Sequence, residues 1–411
     1  MTYFYWVSGI ILALAWASRI VDAALGMPSV ADVSQPEWDR NPVMPSGNPR
    51  VSIIVPARNE EESIEKALKT LLALDYDDYE VIAVNDRSTD RTGEILERVE
   101  RKSHSDKAAL RSGQAPGAAA SVDVTNSSLR AIHIRELPPG WLGKTHAMWT
   151  AASQATGDWL LFTDADVMFR PDSLRRALVY AEAEKADHVV LFPRMIMMRP
   201  GEYMMIAFFQ TMFTFGHRPW KVADPSTDDH MGVGAFNLVR RRVYEAVGTY
   251  KALRMEVVDD MKLGKVIKQA GFAQRNVFGG ELISIRWAHG AMGIVNNLTK
   301  NFFAVLSFQW WRAILSAIAL AFLNFGPFLG IFLSHGWARA PYAVALGSMG
   351  LIYYGMSRRS SVPVYYILLH PLSTAMFIYT LLRSTFLTLW NDGIEWRGTK
   401  YPLEELRKGM V

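Results

Sequence analysis

The stretch Trp159-Leu-Leu-Phe-Thr-Asp-Ala-Asp166 joins a short apolar run to two acidic residues. An apolar run of this length is typical of a strand buried in a parallel sheet. Side chains two positions apart in extended backbone point to the same side, so Asp164 and Asp166 could face one cation. Their hard oxygen ligands suit Mg²⁺ or Mn²⁺. The stretch therefore predicts a buried strand with a metal site at its carboxyl end; a solvated turn is the alternative.

The segments around this stretch alternate between strand-like and helix-like patterns. Short apolar runs predict strands at residues 51–55, 79–84, 131–134, 159–163 and 188–192. Helical spacing predicts a helix capped by Asn59 and reaching Leu72, and further helices at 89–101, 144–155 and 171–186. This alternation predicts an α/β domain on a mostly parallel, Rossmann-like sheet. Ligands of such sheets bind at the carboxyl ends of the strands.

The charged residues are distributed unevenly. The 411 residues carry 44 Lys+Arg and 40 Asp+Glu, a net charge of +4, yet residues 301–382 contain only four charged side chains, all of them arginines. No Lys/Arg-rich run occurs, so nucleic-acid binding is disfavoured. The absence of cysteine excludes disulfides, thiolate metal sites and a cysteine nucleophile.

The globular domain is predicted to span residues 50–290. A Pro-rich linker at 27–49 precedes it. The Ser/Ala/Gly-rich stretch 103–128 is predicted to be a mobile surface insertion rather than a domain boundary.

An apolar run lies close to the N-terminus, from Tyr3 to Ser18. It lacks the basic start and the small-residue cleavage site of a signal peptide. It predicts a membrane anchor helix over residues 1–26; a hydrophobic helix docked on the protein is the alternative.

The C-terminal region is predicted to be embedded in the membrane. Three charge-free stretches, 313–338, 340–357 and 360–382, are each close to the roughly 20 residues that a membrane span requires. They predict about three transmembrane helices within 313–390, after an interfacial helix at 291–312 and before a tail at 391–411. Four basic residues in that tail favour the cytoplasm. Three crossings after a cytoplasmic domain would put it outside, so one segment is predicted to be re-entrant or interfacial, and the count stays open.

Candidate site residues follow the first two predicted strands. Pro56, Ala57 and Glu60 come after the first strand, and Asp86 and Asp90 come after the second. The two aspartates suit a helix start, and a carboxylate can equally bind a uracil ring or a ribose hydroxyl. With the acidic pair of the fourth strand they would converge on one crevice and repel each other, which predicts a compensating ligand.

Three more candidates lie at predicted helix starts. Lys144 begins a helix whose amino end favours anions, so it could bind a diphosphate; an ordinary surface lysine is the alternative. Asp259 and Asp260 open an amphipathic helix, where acids usually complement the helix dipole. Their alternative role is that of a general base towards an acceptor hydroxyl.

Residues 200–220 are rich in Met and Phe and end in basic and aromatic side chains. This composition is typical of a core helix, and it also fits an interfacial helix that admits a lipid acceptor.

Taken together, these motifs resemble the family 2 glycosyltransferases of the GT-A fold. The similarity is to the membrane-bound type that includes ceramide glucosyltransferases and the hopanoid- and carotenoid-associated transferases. The matching blocks are 55–60, 85–90, 143–144, 163–166 and 259–263, in the family's order.

The resemblance implies a role for each matching residue. It assigns the uridine part of a sugar nucleotide to Pro56, Ala57, Glu60 and Asp86, the ribose and diphosphate to Asp90 and Lys144, and the metal to Asp164 and Asp166. It makes Asp260 the general base and puts Gly234 in the loop that lines the acceptor pocket. One in-line displacement would invert the anomeric carbon.

Two features depart from the family pattern. Asn85 stands where many members have an aspartate, and the Gln-x-x-Arg-Trp block is missing in that form. Which of Arg286, Lys300 and Arg312 supplies the corresponding cation stays open, and polymer synthesis is disfavoured.

These observations predict a multi-pass protein of the cell (inner) membrane with its catalytic domain facing the cytoplasm. It would transfer one sugar, glucose by analogy, from a UDP-sugar to the hydroxyl of a ceramide-, hopanoid- or carotenoid-like lipid. Transfer to polyprenyl phosphate, a non-catalytic nucleotide-sugar-binding subunit and a metal-dependent phosphohydrolase are the alternatives. The sequence leaves open the sugar, the lipid and the oligomeric state.

Overall fold

A computed structural model of the chain describes residues 2–40, 48–111 and 128–411, without the side chains of residues 108–111. The chain forms two compact units. The globular unit comprises Val30–Met195, Lys221–Arg286 and Lys408–Val411, and the helical unit comprises Met1–Ser29, Ile196–Trp220 and Trp287–Arg407. Pro42 and Pro45 of the predicted linker and residues 112–127 of the predicted insertion lie outside the described residues.

Helices and strands alternate along the globular unit, and helices predominate in the other. The helices, in chain order, are α1 (Thr2–Gly26), α2 (Ile64–Leu72), α3 (Thr92–Arg111), α4 (Gly143–Gln154), α5 (Ser173–Ala183), α6 (Pro200–Gly216), α7 (Arg241–Ala246), α8 (Thr249–Ala252), α9 (Asp259–Gln269), α10 (Gly290–Val305), α11 (Trp310–Leu333), α12 (Ala340–Ser357), α13 (His370–Trp390) and α14 (Leu403–Lys408). The strands are β1 (Val51–Ala57), β2 (Tyr79–Asp86), β3 (Leu129–Ile134), β4 (Trp159–Phe162), β5 (Met168–Phe169), β6 (His188–Phe192), β7 (Arg194–Met195), β8 (Asn237–Arg240), β9 (Gln274–Phe278), β10 (Ile283–Ile285), β11 (Gly393–Trp396) and β12 (Thr399–Pro402).

The main sheet of the globular unit has seven strands in the order β3-β2-β1-β4-β8-β6-β9. The pairs β1–β2, β1–β4, β2–β3 and β6–β9 are parallel, whereas β8 runs antiparallel to β4 and β6. The predicted mostly parallel sheet is therefore confirmed. Because β1, β2 and β4 are parallel neighbours, their carboxyl ends meet at one edge, where the predicted site residues begin.

Strand β1 shows why this sheet is buried on both faces. Val51, Ile53 and Val55 pack into one apolar cluster with helices α2 and α5, while Ile54 packs into a second with α4 and α9. Alternate side chains of a strand point to opposite faces, so a continuous apolar run suits a sheet covered on both sides.

Two predicted helix starts are wrong. Helix α2 begins at Ile64 rather than after Asn59, because Asn59 has a positive φ of 54° and its side chain accepts the Thr89 N–H instead. Helix α3 begins at Thr92, whose N–H donates to Asp90. This helix continues to Arg111, into the predicted insertion.

The helical unit contains three helical stretches that are long and apolar enough to cross a membrane. They are Thr2–Ser29, Trp310–Leu333 and Val364–Trp390. Helix α12 has 18 residues and is not among the stretches that meet both criteria in the described part of the chain. The predicted interfacial helix is two helices, since α10 ends before Ser307 and Phe308, which both have positive φ. The predicted tail contains the hairpin β11–β12 and helix α14.

Candidate active site

The acidic pair follows β4 and is fixed by the loop that precedes β8. The Asp164 N–H donates to the Gly234 carbonyl at 3.0 Å, and the Thr163 hydroxyl donates to the Ala235 carbonyl at 2.8 Å. A Cβ on Gly234 would lie 2.5 Å from a carboxylate oxygen of Asp164. Glycine at 234 therefore lets this loop approach the acidic pair closely.

Helix α9 packs unusually closely against the same loop. A Cβ on Gly232 would lie 1.8 Å from the Asp260 carbonyl oxygen, and a Cβ on Gly264 would lie 2.0 Å from that of Met231. Gln274 spans the junction, because its side chain accepts the Met231 N–H and donates to the Gly264 carbonyl. Two glycines and one amide thus set the position of the start of α9.

The carboxylate of Asp260 is held by backbone donors. One oxygen accepts the Gly234 N–H and the other accepts the Met261 N–H, each at 2.8 Å. Burial raises the pKa of Asp260 above its ordinary value. A partly buried carboxylate of raised pKa beside a second acid is an arrangement suited to proton transfer.

Lys144 lies between two carboxylates. Its Nζ is 2.9 Å from Asp164 and 3.4 Å from Asp259. Burial opposes its charge, but the carboxylates of Asp164, Asp259 and Asp260 raise its pKa, so it stays an ammonium. The resemblance to the family assigned the general base to Asp260 and no role to Asp259. The structure brings both acids to Lys144 and Asp164. The adjacency of the two acids at a helix start was the sequence signal that could have pointed to Asp259.

Asp166 is the second acid of the pair. Burial and then the negative charges of Asp164 and Glu60 raise its pKa to about 7. No group of three or more His, Asp or Glu side chains in the described residues is arranged as a metal site. Mg²⁺ and Mn²⁺ are nevertheless commonly held by one or two carboxylates together with substrate phosphates, and this donor set fits that pattern.

The last residue of β2, Asp86, and the segment that follows it bond to neighbouring residues. Arg87 donates to both oxygens of Asp86, from Nε at 2.7 Å and from Nη2 at 3.2 Å, and Arg58 lies 3.7 Å away. Asp90 accepts the backbone N–H groups of Thr92 and Glu61. In this structure Asp90 therefore joins two loops at the sheet edge, and a contact with ribose or diphosphate remains a prediction.

The last residues of β1, Pro56 and Ala57, and the segment that follows them lie at the same edge. Pro56 and Ala57 pair in register with Val84 and Asn85 of β2, and the Glu60 N–H donates to the Thr92 hydroxyl at 2.8 Å. Their predicted contact with a nucleoside stays a prediction.

A small cavity lies over the acidic cluster of Asp164, Asp259 and Asp260. Its lining consists of Lys144, Met148, Phe162, Thr163, Asp164, Gly234, Asn237, Tyr250, Asp259 and Asp260. The structure thus brings Lys144, Asp164, Gly234 and Asp260 of the predicted site residues to one space.

The three cations considered for the missing Gln-x-x-Arg-Trp block differ in their surroundings. Arg286 belongs to the globular unit, whereas Lys300 and Arg312 belong to the helical unit. The Lys300 ammonium lies 3.8 Å from the centre of the Trp396 ring, and the Arg312 guanidinium lies 5.3 Å from that of Trp311.

The chain is similar to known glycosyltransferases in both sequence and fold. Residues 52–248 match the family described as Glycosyl transferase family 2. A 4,4'-diaponeurosporenoate glycosyltransferase from Staphylococcus haemolyticus is 24% identical over 254 residues, 61% of this chain and 60% of that protein, so the match spans about three fifths of that relative. The Staphylococcus aureus (strain USA300) protein of the same name is 22% identical over 362 residues, 86% of this chain and 89% of that protein.

Among solved structures, a mannosyltransferase from Pyrobaculum calidifontis in complex with GDP-Man and Mn²⁺ is similar to the chain. The sequences are 20% identical, the TM-score is 0.50, and the match covers 94% of this chain and 99% of that one. This likeness shows a common fold.

Proposed function

We propose that the chain, whose residues 52–248 match the family 2 glycosyltransferases and whose fold is that of a GT-A transferase, as the sequence predicted, is a membrane-bound enzyme that moves one sugar from a nucleoside diphosphate sugar to a lipid acceptor. UDP-sugar is the proposed donor, and glucose is the sugar that family analogy favours.

The position of Gly234 is the main support for this proposal. Its carbonyl accepts the N–H of Asp164, and its own N–H donates to the carboxylate of Asp260. One residue therefore links the proposed donor-side acid to the proposed base. A transferase needs these two groups close together, because the acceptor must be deprotonated while the diphosphate leaves.

On the donor side, Asp164 and Asp166 would hold Mg²⁺ or Mn²⁺. The metal would neutralise the charge that develops on the departing diphosphate. Lys144 carries a stable positive charge at the amino end of α4, a location that favours phosphate groups, and would bind the same diphosphate.

On the acceptor side, Asp260 would remove the proton of a lipid hydroxyl as the oxygen attacks the anomeric carbon. Its two backbone donors hold the carboxylate in one orientation, and its raised pKa makes it a stronger base. A single in-line attack would invert the configuration.

A carboxylate acceptor is the second candidate. The two staphylococcal relatives are transferases to a diaponeurosporenoate, the carboxylate of a carotenoid acid. A carboxylate is already ionised at neutral pH, so its transfer needs no base. The polyprenyl phosphate alternative shares this property.

The exposed surface of helix α13 supports a location in the membrane. Its buried side chains include Ser373, Thr374, Thr380, Ser384 and Thr385, while Leu372, Tyr379, Phe386 and Trp390 are more than half exposed. A surface helix of a soluble protein shows the reverse pattern, whereas helices in lipid pack through small polar residues. A cytoplasmic active site is proposed because sugar nucleotides are made there.

The experiment is nucleotide release by the purified, detergent-solubilised protein. Wild type would be supplied with a panel of UDP- and GDP-sugars, Mn²⁺ and a host lipid extract, beside Asp164→Ala, Asp260→Asn and the control Asp77→Asn, which changes an exposed acid. Lipid-dependent release that the first two substitutions abolish and the control retains supports transfer to a hydroxyl.

The remaining outcomes separate the alternatives. Activity retained by Asp260→Asn indicates an ionised acceptor; a product cleaved by mild alkali is then a glycosyl ester, and an alkali-stable, acid-labile product is a glycosyl phosphate. Nucleotide release without a glycolipid indicates hydrolysis. Nucleotide-sugar binding without turnover indicates a non-catalytic subunit.

A further inference from the structure

Residues 408–411 pack with the globular unit rather than with the helices that precede them in the chain. The backbone N–H of Val411 donates to the carboxylate of Glu256, and the Val411 carbonyl accepts from the ammonium groups of Lys262 and Lys265. Val411 thus contacts one side chain that precedes α9 and two that lie within it.

Glu256 is the centre of this contact. Its side chain is only 3% exposed and lies 3.2 Å from the Lys262 Nζ. A buried carboxylate is stable only when it is paired and hydrogen-bonded. Glu256 obtains its partners from α9 and from the tail, and it does not line the acidic cavity.

The segment 253–258 that carries Glu256 supports two elements of the active site. The Arg254 carbonyl accepts the Leu142 N–H at 2.8 Å and the Thr145 hydroxyl at 2.7 Å, which fastens the start of α4 and therefore Lys144. The same segment continues directly into Asp259 and Asp260. Any shift of residues 253–258 would displace the ammonium and the proposed base together.

We propose that Glu256 is a positioning residue for the transfer reaction: by binding Lys262 and the backbone of residue 411, it fixes the segment that presents Lys144 and Asp260. The expected effect on the transfer rate rests on the proposed function, whereas the expected fixing of residues 253–258 rests on the contacts alone. It gives the tail a role in catalysis without contact with the substrate.

The test uses two variants of the full protein, Glu256→Gln and a chain ending at Arg407, with Glu245→Gln as control. Glu245 is an exposed acid on α7. Hydrogen exchange of segment 253–262 is expected to speed up in both variants, with no change in the 56–60 and 86–90 loops. We expect kcat to fall about tenfold, since misplacement of a catalytic group by a fraction of an ångström is costly. The Kd for the sugar nucleotide is expected to rise as well, because Lys144 is its proposed diphosphate partner.

Two results would overturn the positioning role. Unchanged exchange at 253–262 in both variants would show that the tail contact holds nothing in place. Faster exchange across the whole globular unit, including the 56–60 and 86–90 loops, would show general destabilisation instead. If wild type transfers no sugar, the proposed function fails, yet the exchange comparison still decides whether Glu256 and the tail fix this segment.

Discussion

Replacing Gly232 by alanine is expected to remove most of the transfer activity while nucleotide binding persists. The added Cβ would lie 1.8 Å from the carbonyl oxygen of Asp260, whereas real Cβ atoms essentially never approach closer than 3.0 Å. The difference between these two distances means that loop and helix must separate by at least about 1.2 Å. The atoms that this Cβ would meet all belong to the backbone of Asp260 and Met261, so no flexible side chain can move aside to absorb the shift.

The size of the effect follows from that displacement. Misplacing a catalytic group by about 1 Å costs roughly 100-fold in rate, or about 2.7 kcal/mol of transition-state stabilisation. Gly232 lies two residues before Gly234, whose N–H holds the Asp260 carboxylate, so the shift acts directly on the proposed base. The residues at the ends of β1 and β2, which would bind the uridine part, are fixed by each other, so nucleotide binding is expected to survive the shift.

The assay compares kcat for nucleotide release with the Kd for UDP in wild type, Gly232→Ala and Gly216→Ala. The last is a matched control, because Gly216 is exposed and a Cβ there would meet nothing within 4 Å. A folded Gly232→Ala protein with wild-type kcat would refute the claim that close packing of α9 on the loop positions the base.

Two further outcomes concern stability. Burial lowers the pKa of His188 from 6.5 to about 4, so the unfolded chain binds a proton at this residue more readily than the folded protein. The contribution of His188 to the free energy of unfolding is therefore fully present above about pH 6.5. Up to roughly 3 kcal/mol of it is lost as the pH drops towards 4. Thermal unfolding of wild type against His188→Gln, which cannot titrate, measures this, and parallel pH profiles would contradict it. The indole of Trp16 donates at 3.0 Å to the carbonyl of Leu323, which lacks a helix partner because Pro327 has no N–H; Trp16→Phe should therefore destabilise the helical unit by about 1–3 kcal/mol. Its unfolding temperature in detergent is compared with that of Trp6→Phe, a change at an exposed tryptophan, and equal values for the two variants would count against this role.

The acidic cluster was predictable in part because the end of a strand is determined by residues that are neighbours in the sequence. The apolar run before Asp164 specifies a buried parallel strand, and parallel neighbours bring their carboxyl ends to one edge whatever the rest of the fold does. The same local patterns specified the long apolar helices, since the length and hydropathy of a segment depend on that segment alone.

The roles of individual side chains at this edge of the sheet were not predictable in this way. Asp90 is equally suited by sequence to a ligand or to a helix start, and only the fold shows that it binds the Thr92 and Glu61 amides. The ion pair of Lys144 with Asp259 joins residues more than 100 positions apart, and no spacing rule anticipates it.

The sequence by itself therefore determined the α/β domain, the apolar helices and the acids that follow the strands, because each depends on residues that are neighbours in the chain. The tertiary structure alone decided how those acids are held. Gly232 and Gly264 bring α9 against its loop, Gly234 ties Asp164 to Asp260, and Glu256 binds a backbone group some 155 residues away. These contacts depend on distances between segments remote in sequence, which local propensity does not encode.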